Sequence, residues 1–263
     1  MHTTEDLIRY YEKHHDEDIR LISKHGMVEY VTTMQYIDKY LQPGMRIMEI
    51  CAGTRRYSHA LAQRGYSVDA VELVESNIEI FKQNTMEGEC ITITQGDARD
   101  LSAYSSNTYD ITLLLGPMYH LFTDEDKLQA LSEAIRITKP GGIVFAAYCM
   151  SGPRVLLRGF IGGEIHDLIQ EAIIDPETFD TITNSSDIFA FLRKEAIDAL
   201  RSHFDVTQLH FIATDGYTNH MKDTVDKMDD ATYAVYLKYH LATCERQDMI
   251  GYSHHTLDIF RKA

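Results

Sequence analysis

Four short clusters along the chain place acids, small residues and turns where they could bind a nucleotide-like ligand. The first is Glu49-Ile50-Cys51-Ala52-Gly53-Thr54-Arg55-Arg56-Tyr57-Ser58, an apolar strand that turns directly into a helical pattern. A strand, a tight turn of small residues and a helix N-terminus offer backbone N–H groups to an anionic or polar ligand. The second is Glu72, 23 residues beyond Glu49 at the end of the next strand pattern. A carboxylate there can accept hydrogen bonds from both hydroxyls of a ribose. The third, Gly96-Asp97-Ala98, follows the third strand pattern and could bond an adenine amino group. The fourth is Leu115-Gly116-Pro117-Met118-Tyr119-His120-Leu121, after the fourth. Each has a plain structural alternative: a packing glycine, a surface acid, a β-turn aspartate, a solvated histidine. All four nevertheless fall beyond strand ends on one rim of a parallel sheet, where ligands of open α/β sheets bind.

His120 stands where a second substrate would meet that ligand, so it is the candidate general base, with Tyr119 beside it. Tyr148, at the end of the fifth strand pattern, and Tyr217 and His220, in the polar stretch 215–220, are candidates for binding that substrate. The chain has 13 histidines. The adjacent pairs His14-His15 and His254-His255 are expected to diverge on a helix or strand, and no close Cys/His ligand spacing occurs, so no metal site is expected. Cys51, Cys90, Cys149 and Cys244 form no CxxC pair and read as free thiols.

The elements that must position these residues follow from periodicity. Residues 1–41 read as two helices closed by Pro43-Gly44. Apolar runs at 46–50, 67–72, 91–95, 110–115 and 142–148 then alternate with helical patterns near 56–64, 76–84 and 124–138. This is the signature of βαβ units and a parallel sheet covered on both faces. After Tyr148 the alternation stops. Ile165, Leu168, Ile169, Ala172 and Ile173 keep helical spacing. A further helix is expected from Asp187 to about His203, capped by Ser185 or Ser186. That block reads either as a lid over the rim or as cover for one sheet face. A strand at 205–214, a helix at 229–246 and a strand at 256–260 complete the chain. The expected organisation is an N-terminal helical cap (1–41), an α/β core (42–150), a helical lid insertion (151–203) and C-terminal elements that complete the sheet (204–263).

Composition narrows the partners. With 40 Asp+Glu against 25 Lys+Arg, the net charge is −15. That balance argues against tracking a nucleic-acid backbone. The first residues show no signal peptide and no apolar stretch approaches the ~20 residues of a membrane span, so a cytoplasmic chain without membrane or nucleic-acid partners is expected. The sequence gives no oligomeric state.

Taken together, Glu49–Ser58, Val71-Glu72-Leu73, Gly96-Asp97-Ala98, the stretch 110–120 and Lys139-Pro140-Gly141-Gly142 resemble the successive motifs of class I S-adenosylmethionine-dependent methyltransferases. The resemblance covers residues 45–150 closely. It implies a Rossmann-like α/β fold with a seven-stranded sheet whose last strand is antiparallel, S-adenosylmethionine as cofactor, and methyl transfer to a small-molecule acceptor. By this resemblance Glu49 and the Cys51, Ala52 and Gly53 backbone face the methionine part of the cofactor. Glu72 takes the ribose, Leu73 flanks the adenine, Asp97 and Ala98 read its edge, and Leu115 lies near the sulfonium. The leading helices would fold over the cofactor, with Tyr11 and Tyr30 as gate residues. The chain departs from the acid-x-Gly-x-Gly-x-Gly pattern at Cys51 and Arg55. Cys51 is tolerable there if the turn keeps a negative φ, and Arg55 is expected to obstruct the cavity mouth. The alternatives are a methyltransferase-like binding or regulatory protein that has lost catalysis, and a nicotinamide-dinucleotide enzyme, whose glycine fingerprint fits less well.

Overall fold

The computed structural model describes residues 4–13, 22–182 and 188–263. His14-His15 and the expected capping residues Ser185 and Ser186, with Asp187, lie outside the described residues. Two helices lead, α1 (Thr4–Lys13) and α2 (Lys24–Asp38). Ser23 caps α2, its hydroxyl accepting from the Gly26 N–H at 3.2 Å. The strands β1 (Arg46–Ile50), β2 (Ser67–Glu72), β3 (Ile91–Gln95) and β4 (Tyr109–Leu114) alternate with α3 (Arg56–Ala62), α4 (Glu75–Asn84) and α5 (Asp124–Ile137). Strand β5 (Thr138–Met150) begins at once after α5 and runs through Gly141, whose φ of +77° only glycine adopts without cost.

The sheet runs β3-β2-β1-β4-β5-β8-β7, with the two-residue β6 (Phe191–Leu192) beside the end of β5. Strands β1 to β5 pair in parallel, whereas β8 (His255–Lys262) lies antiparallel between β5 and β7 (Val206–Ala213). The expected seven-stranded sheet with an antiparallel last strand is therefore present, enlarged only by β6. The chain leaves β1 toward β2 and β3 on one side and returns to β4 on the other. That reversal opens a crevice at the carboxyl ends of β1 and β4. Because β8 runs backwards, its first residue, His255, also reaches this rim.

Residues 151–182 are more varied than helical spacing suggested. They comprise a turn of helix (Ser151–Arg154), a π-helix (Val155–Ile161) and α6 (Ile165–Gln170). Ala172 takes φ +53°, which ends the helical pattern, and Ile173 packs with Val155, Leu168 and Ile174 in a satellite core. The helix expected over 187–203 begins only at Lys194 and ends at Arg201 (α7), because Phe191 and Leu192 pair with Cys149 and Met150 as strand β6. The last long helix is α8 (Asp230–Thr243). Among the described residues, no helix is long and apolar enough to cross a membrane.

One buried ion pair ties α7 to the antiparallel strand. Asp258 is fully buried in β8 and accepts from Arg201 Nη1 at 2.6 Å and from Gln208 Nε2 at 2.8 Å. Removing the cation leaves an uncompensated buried carboxylate. Arg201→Met is expected to lower unfolding stability by about 3–5 kcal/mol, read from urea denaturation. A loss under 1 kcal/mol would show that the pair does not hold β8 in place.

Candidate active site

The rim crevice is a cleft in two lobes, about 950 and 1250 Å3 counting their open mouths. The lobes share Leu7, Cys51, Leu73 and His120, so the whole is elongated along the strand ends. Its floor is set by the turn after β1. The Cys51 and Ala52 N–H groups both donate to Val71 O, at 2.8 and 3.1 Å, which pins the turn to the end of β2. Glu72 completes the fixation: its carboxylate accepts from Gly53 N at 2.9 Å, Val74 N at 3.0 Å and Asn77 Nδ2 at 3.3 Å. Burial pushes the Glu72 carboxyl above its ordinary range, and these hydrogen bonds oppose the push.

Glu49 lies deeper and behaves differently. Burial raises its carboxyl to about 8, against hydrogen bonds from Ser58. At neutral pH it is held largely protonated, and a cation entering the cleft beside it would ionise it. Asp97 lines the second lobe with Ala98. Burial alone would raise it, but Arg99 donates to both of its oxygens, at 2.6 to 3.2 Å, and holds it below the usual carboxylate range. Its oxygens already carry an ion pair.

Tyr11, Tyr119 and His120 close the cleft where the lobes meet. His120 Nδ1 lies 3.0 Å from Ile188 O, and Nε2 lies 2.9 Å from the Tyr11 hydroxyl. A carbonyl oxygen only accepts, so Nδ1 carries the proton. Burial lowers His120 to about 4, which keeps the ring neutral and leaves Nε2 to accept from Tyr11 O–H. Tyr119 donates to Leu115 O at 2.9 Å, with its ring edge-on to His120.

Of the sequence candidates, Tyr11, Glu49, Cys51, Ala52, Gly53, Glu72, Leu73, Leu115, Tyr119 and His120 line the first lobe, and Asp97 and Ala98 the second. Tyr30, Tyr148, Tyr217 and His220 do not line either lobe. Helix α2 turns Glu29 and Thr33, four residues apart, toward the cleft, which leaves Tyr30 on another face. There it packs on Tyr57 at 5.3 Å under the Arg56 guanidinium. Strand β5 presents Ala147 to the cleft, so its neighbour Tyr148 points the other way, into the core. Tyr217 stacks on Tyr252 at 4.6 Å, and His220 Nε2 donates to Tyr252 O at 2.9 Å, both outside the two lobes.

The turn departs from the sequence reading at two positions. Cys51 has φ +67°, in the left-handed region, so it keeps the glycine conformation without being glycine. Arg55 has an extended φ of 174°, is exposed and does not line the cleft; Arg56 does. The expected obstruction by Arg55 is therefore absent. Sequence reasoning missed Glu29 and His255. The available signal was the antiparallel last strand, since its beginning must share the rim with the carboxyl ends of the others. His254 and His255 do not diverge either: their rings lie 4.6 Å apart, because His254 precedes β8 and escapes strand alternation.

Residues 47–142, which hold most of this rim, match the family model of a methyltransferase domain. Residues 47–142 are thus similar to a methyltransferase domain, on a fold shared with S-adenosylmethionine-dependent methyltransferases. The cofactor of this class is S-adenosylmethionine. Among relatives, a demethylmenaquinone methyltransferase of Staphylococcus epidermidis is 33% identical over 40% of this chain and 43% of its own length. A ubiquinone biosynthesis O-methyltransferase of Pseudomonas aeruginosa is 25% identical over 69% of this chain and 78% of its own. The chain spans under half the length of several curated relatives that it matches, 43% to 44% in four of them. Among solved structures, a SAM-dependent methyltransferase of Methanosarcina mazei superposes with TM-score 0.56 at 17% identity, covering 86% of this chain and 96% of that one. A magnesium protoporphyrin IX methyltransferase of Synechocystis, solved with bound S-adenosylhomocysteine, gives 0.55 at 13%, covering 91% and 83%.

The residues of the domain fit S-adenosylmethionine. Glu72 is a buried, braced carboxylate at the cleft wall, able to accept from vicinal hydroxyls through its remaining lone pairs. Glu49 is a buried acid whose ionisation calls for a cation, and the cofactor carries an ammonium and a sulfonium. The two lobes provide an elongated cleft for a nucleoside joined to an amino acid.

The turn itself supplies a test. A Cβ on Gly116 would meet Cys51 Cβ at 2.8 Å and Sγ at 2.9 Å. Cys51→Gly should raise stability by about 1 kcal/mol by relieving the left-handed conformation. Gly116→Ala should cost about 1–3 kcal/mol in the native background and less than half of that beside Gly at 51. Additive costs in urea denaturation would show that the two residues do not crowd one another.

Proposed function

We propose that this chain transfers the methyl group of S-adenosylmethionine to a small-molecule acceptor that carries an N–H or O–H group. The observation that carries the reading is the Tyr11–His120 pair, placed where the two lobes join. His120 Nε2 accepts the hydrogen bond of the Tyr11 O–H, so the Tyr11 oxygen presents lone pairs to the cleft and accepts hydrogen bonds from what binds there. Nothing in this arrangement demands a strong base. A ring held near a pKa of 4 serves to orient Tyr11, and Tyr11 orients the acceptor.

In this reading the bound cofactor supplies an already activated methyl group. Glu49 and the turn 51–53 bind its amino-acid end, Glu72 its ribose, and Leu73, Asp97 and Ala98 flank its base. Leu115 borders the reacting centre. Glu29, Thr33, Tyr119, Ala147, Thr214, His255 and Leu257 form the acceptor end. Helix α1 and residues 188–191, through Leu7, Tyr11 and Ile188, cover the cleft and exclude water. Alignment of donor and acceptor of this kind can contribute ~7–11 kcal/mol of barrier reduction. The −15 charge supports an acceptor other than nucleic acid.

Titration calorimetry with S-adenosylmethionine tests the donor half. Glu72→Ala should weaken binding roughly ten- to hundredfold, the equivalent of charge-assisted hydrogen bonds of about 1.5–3 kcal/mol. Unchanged affinity would remove Glu72 from the site. For the acceptor half, Tyr11→Phe and His120→Ala should each lower turnover about tenfold while cofactor affinity changes less than about twofold. Loss of cofactor binding with turnover per bound cofactor preserved would move both residues to the donor side.

A further inference from the structure

Behind the acceptor end, His255 meets two soft metal-binding groups, Cys149 and His254, that methyl transfer does not use. Antiparallel pairing of β5 and β8 sets Cys149 opposite His255. One ligand atom each of Cys149, His254 and His255 lies within 4.8 Å of the other two. His254 Nδ1 is buried and has no hydrogen-bond partner among the described residues. A buried imidazole nitrogen without a partner is costly unless something coordinates it.

His255 is already held as a metal ligand would be. Its Nδ1 donates to Asp215 Oδ2 at 2.9 Å, with Glu29 Oε2 at 3.5 Å, which leaves Nε2 to bind. A carboxylate behind the ligating ring fixes its tautomer and raises its basicity. Asp215 is itself anchored, accepting from Ser253 Oγ at 2.6 Å and from the His254 N–H at 2.8 Å. Burial holds His254 low, to about 4, with His255 and, more weakly, Arg154 acting in the same direction and the Asp215 and Glu29 carboxylates opposing them.

We propose that Cys149, His254 and His255 bind a divalent metal of the zinc class, with Asp215 orienting His255. One thiolate and two imidazoles match the ligand preference of that ion. Bond lengths of about 2.0–2.3 Å around a tetrahedral ion set donor atoms about 3.3–3.8 Å apart, a spacing reachable by side-chain adjustment from groups that already lie within 4.8 Å of one another. Binding releases the thiol proton of Cys149 and the Nε2 proton of His255 to solvent. Three protein ligands leave a fourth position open. His254 and His255 both line an outer cleft of about 1430 Å3, which gives the ion an entry path and that position a water or a soft donor.

Cobalt(II) is the probe. The full chain, stripped with chelator and kept reduced, should take up one equivalent of Co2+. The expected signature is visible absorption of a four-coordinate ion with a near-ultraviolet thiolate-to-cobalt band, both abolished by Zn2+. Cys149→Ser should remove the thiolate band, and His254→Asn should weaken cobalt binding by more than about tenfold. No saturable absorption in the native chain, or a native thiolate band in Cys149→Ser, would overturn the proposal. Alkylation mapped by mass spectrometry needs no variant to fold. Zn2+ should protect Cys149 in the native chain while exposed Cys90 reacts as before, and equal labelling of Cys149 with and without Zn2+ would overturn the site. None of these readouts uses methyl transfer, so their failure and the failure of the proposed activity are separable.

Discussion

The cleft depends on one buried carboxylate. Glu72 binds the turn after β1, the Val74 N–H just beyond β2 and the Asn77 side chain of α4 at the same time. The turn after β1 is thereby tied to the end of β2 and the start of α4 through one anchor, and the crevice between β1 and β4 keeps its shape. An uncharged isostere could not brace all three as strongly, because bonds to an ionised acceptor are about twice as strong as neutral ones. Burial works against that charge. The donors around it are what make a carboxylate tolerable there, and they leave it facing the site where vicinal hydroxyls would bind.

The second constraint is topological. Inserting β8 backwards between β5 and β7 brings a chain segment near residue 255 to the rim that otherwise collects only the ends of parallel strands. His255 reaches the cleft in this way, and Asp215, just beyond β7, meets it there. The buried Asp258–Arg201 pair on the same strand secures the insertion. Core stability and site geometry are thus carried by neighbouring residues of one strand.

Much of this was legible in the sequence. The bounds of β1, β2 and β3 follow directly from their sequence patterns: β1 is nearly continuous in buried residues, while the edge strand β3 alternates isoleucine with exposed threonine. The four rim clusters likewise follow from strand ends and turn residues. What escaped depends on facts that composition does not encode. Cys51 holds a conformation its residue type disfavours, because Glu72 and Val71 fix the turn around it. Phe191 and Leu192 read as helix but pair with β5, tertiary contact overriding local pattern. Cys149 and His254 stand 105 residues apart, and only β5–β8 pairing makes neighbours of them. Close-spacing rules for metal ligands cannot see such a pair.

The remaining misplacements share a cause in parity. On β5 the cleft face belongs to Ala147, and on β8 to His255 and Leu257, two residues apart as alternation requires. Tyr148 and Asp258 fall on the other face and are buried, one in the core and one in an ion pair. A slip of one residue in the β5–β8 register would exchange these sets, putting a tyrosine where a small side chain now leaves room for the acceptor. The small residue at 147 is therefore as much a feature of the site as the polar groups around it. Its identity, unlike theirs, carries no chemical signal that would distinguish it in the sequence from any other alanine of a buried strand.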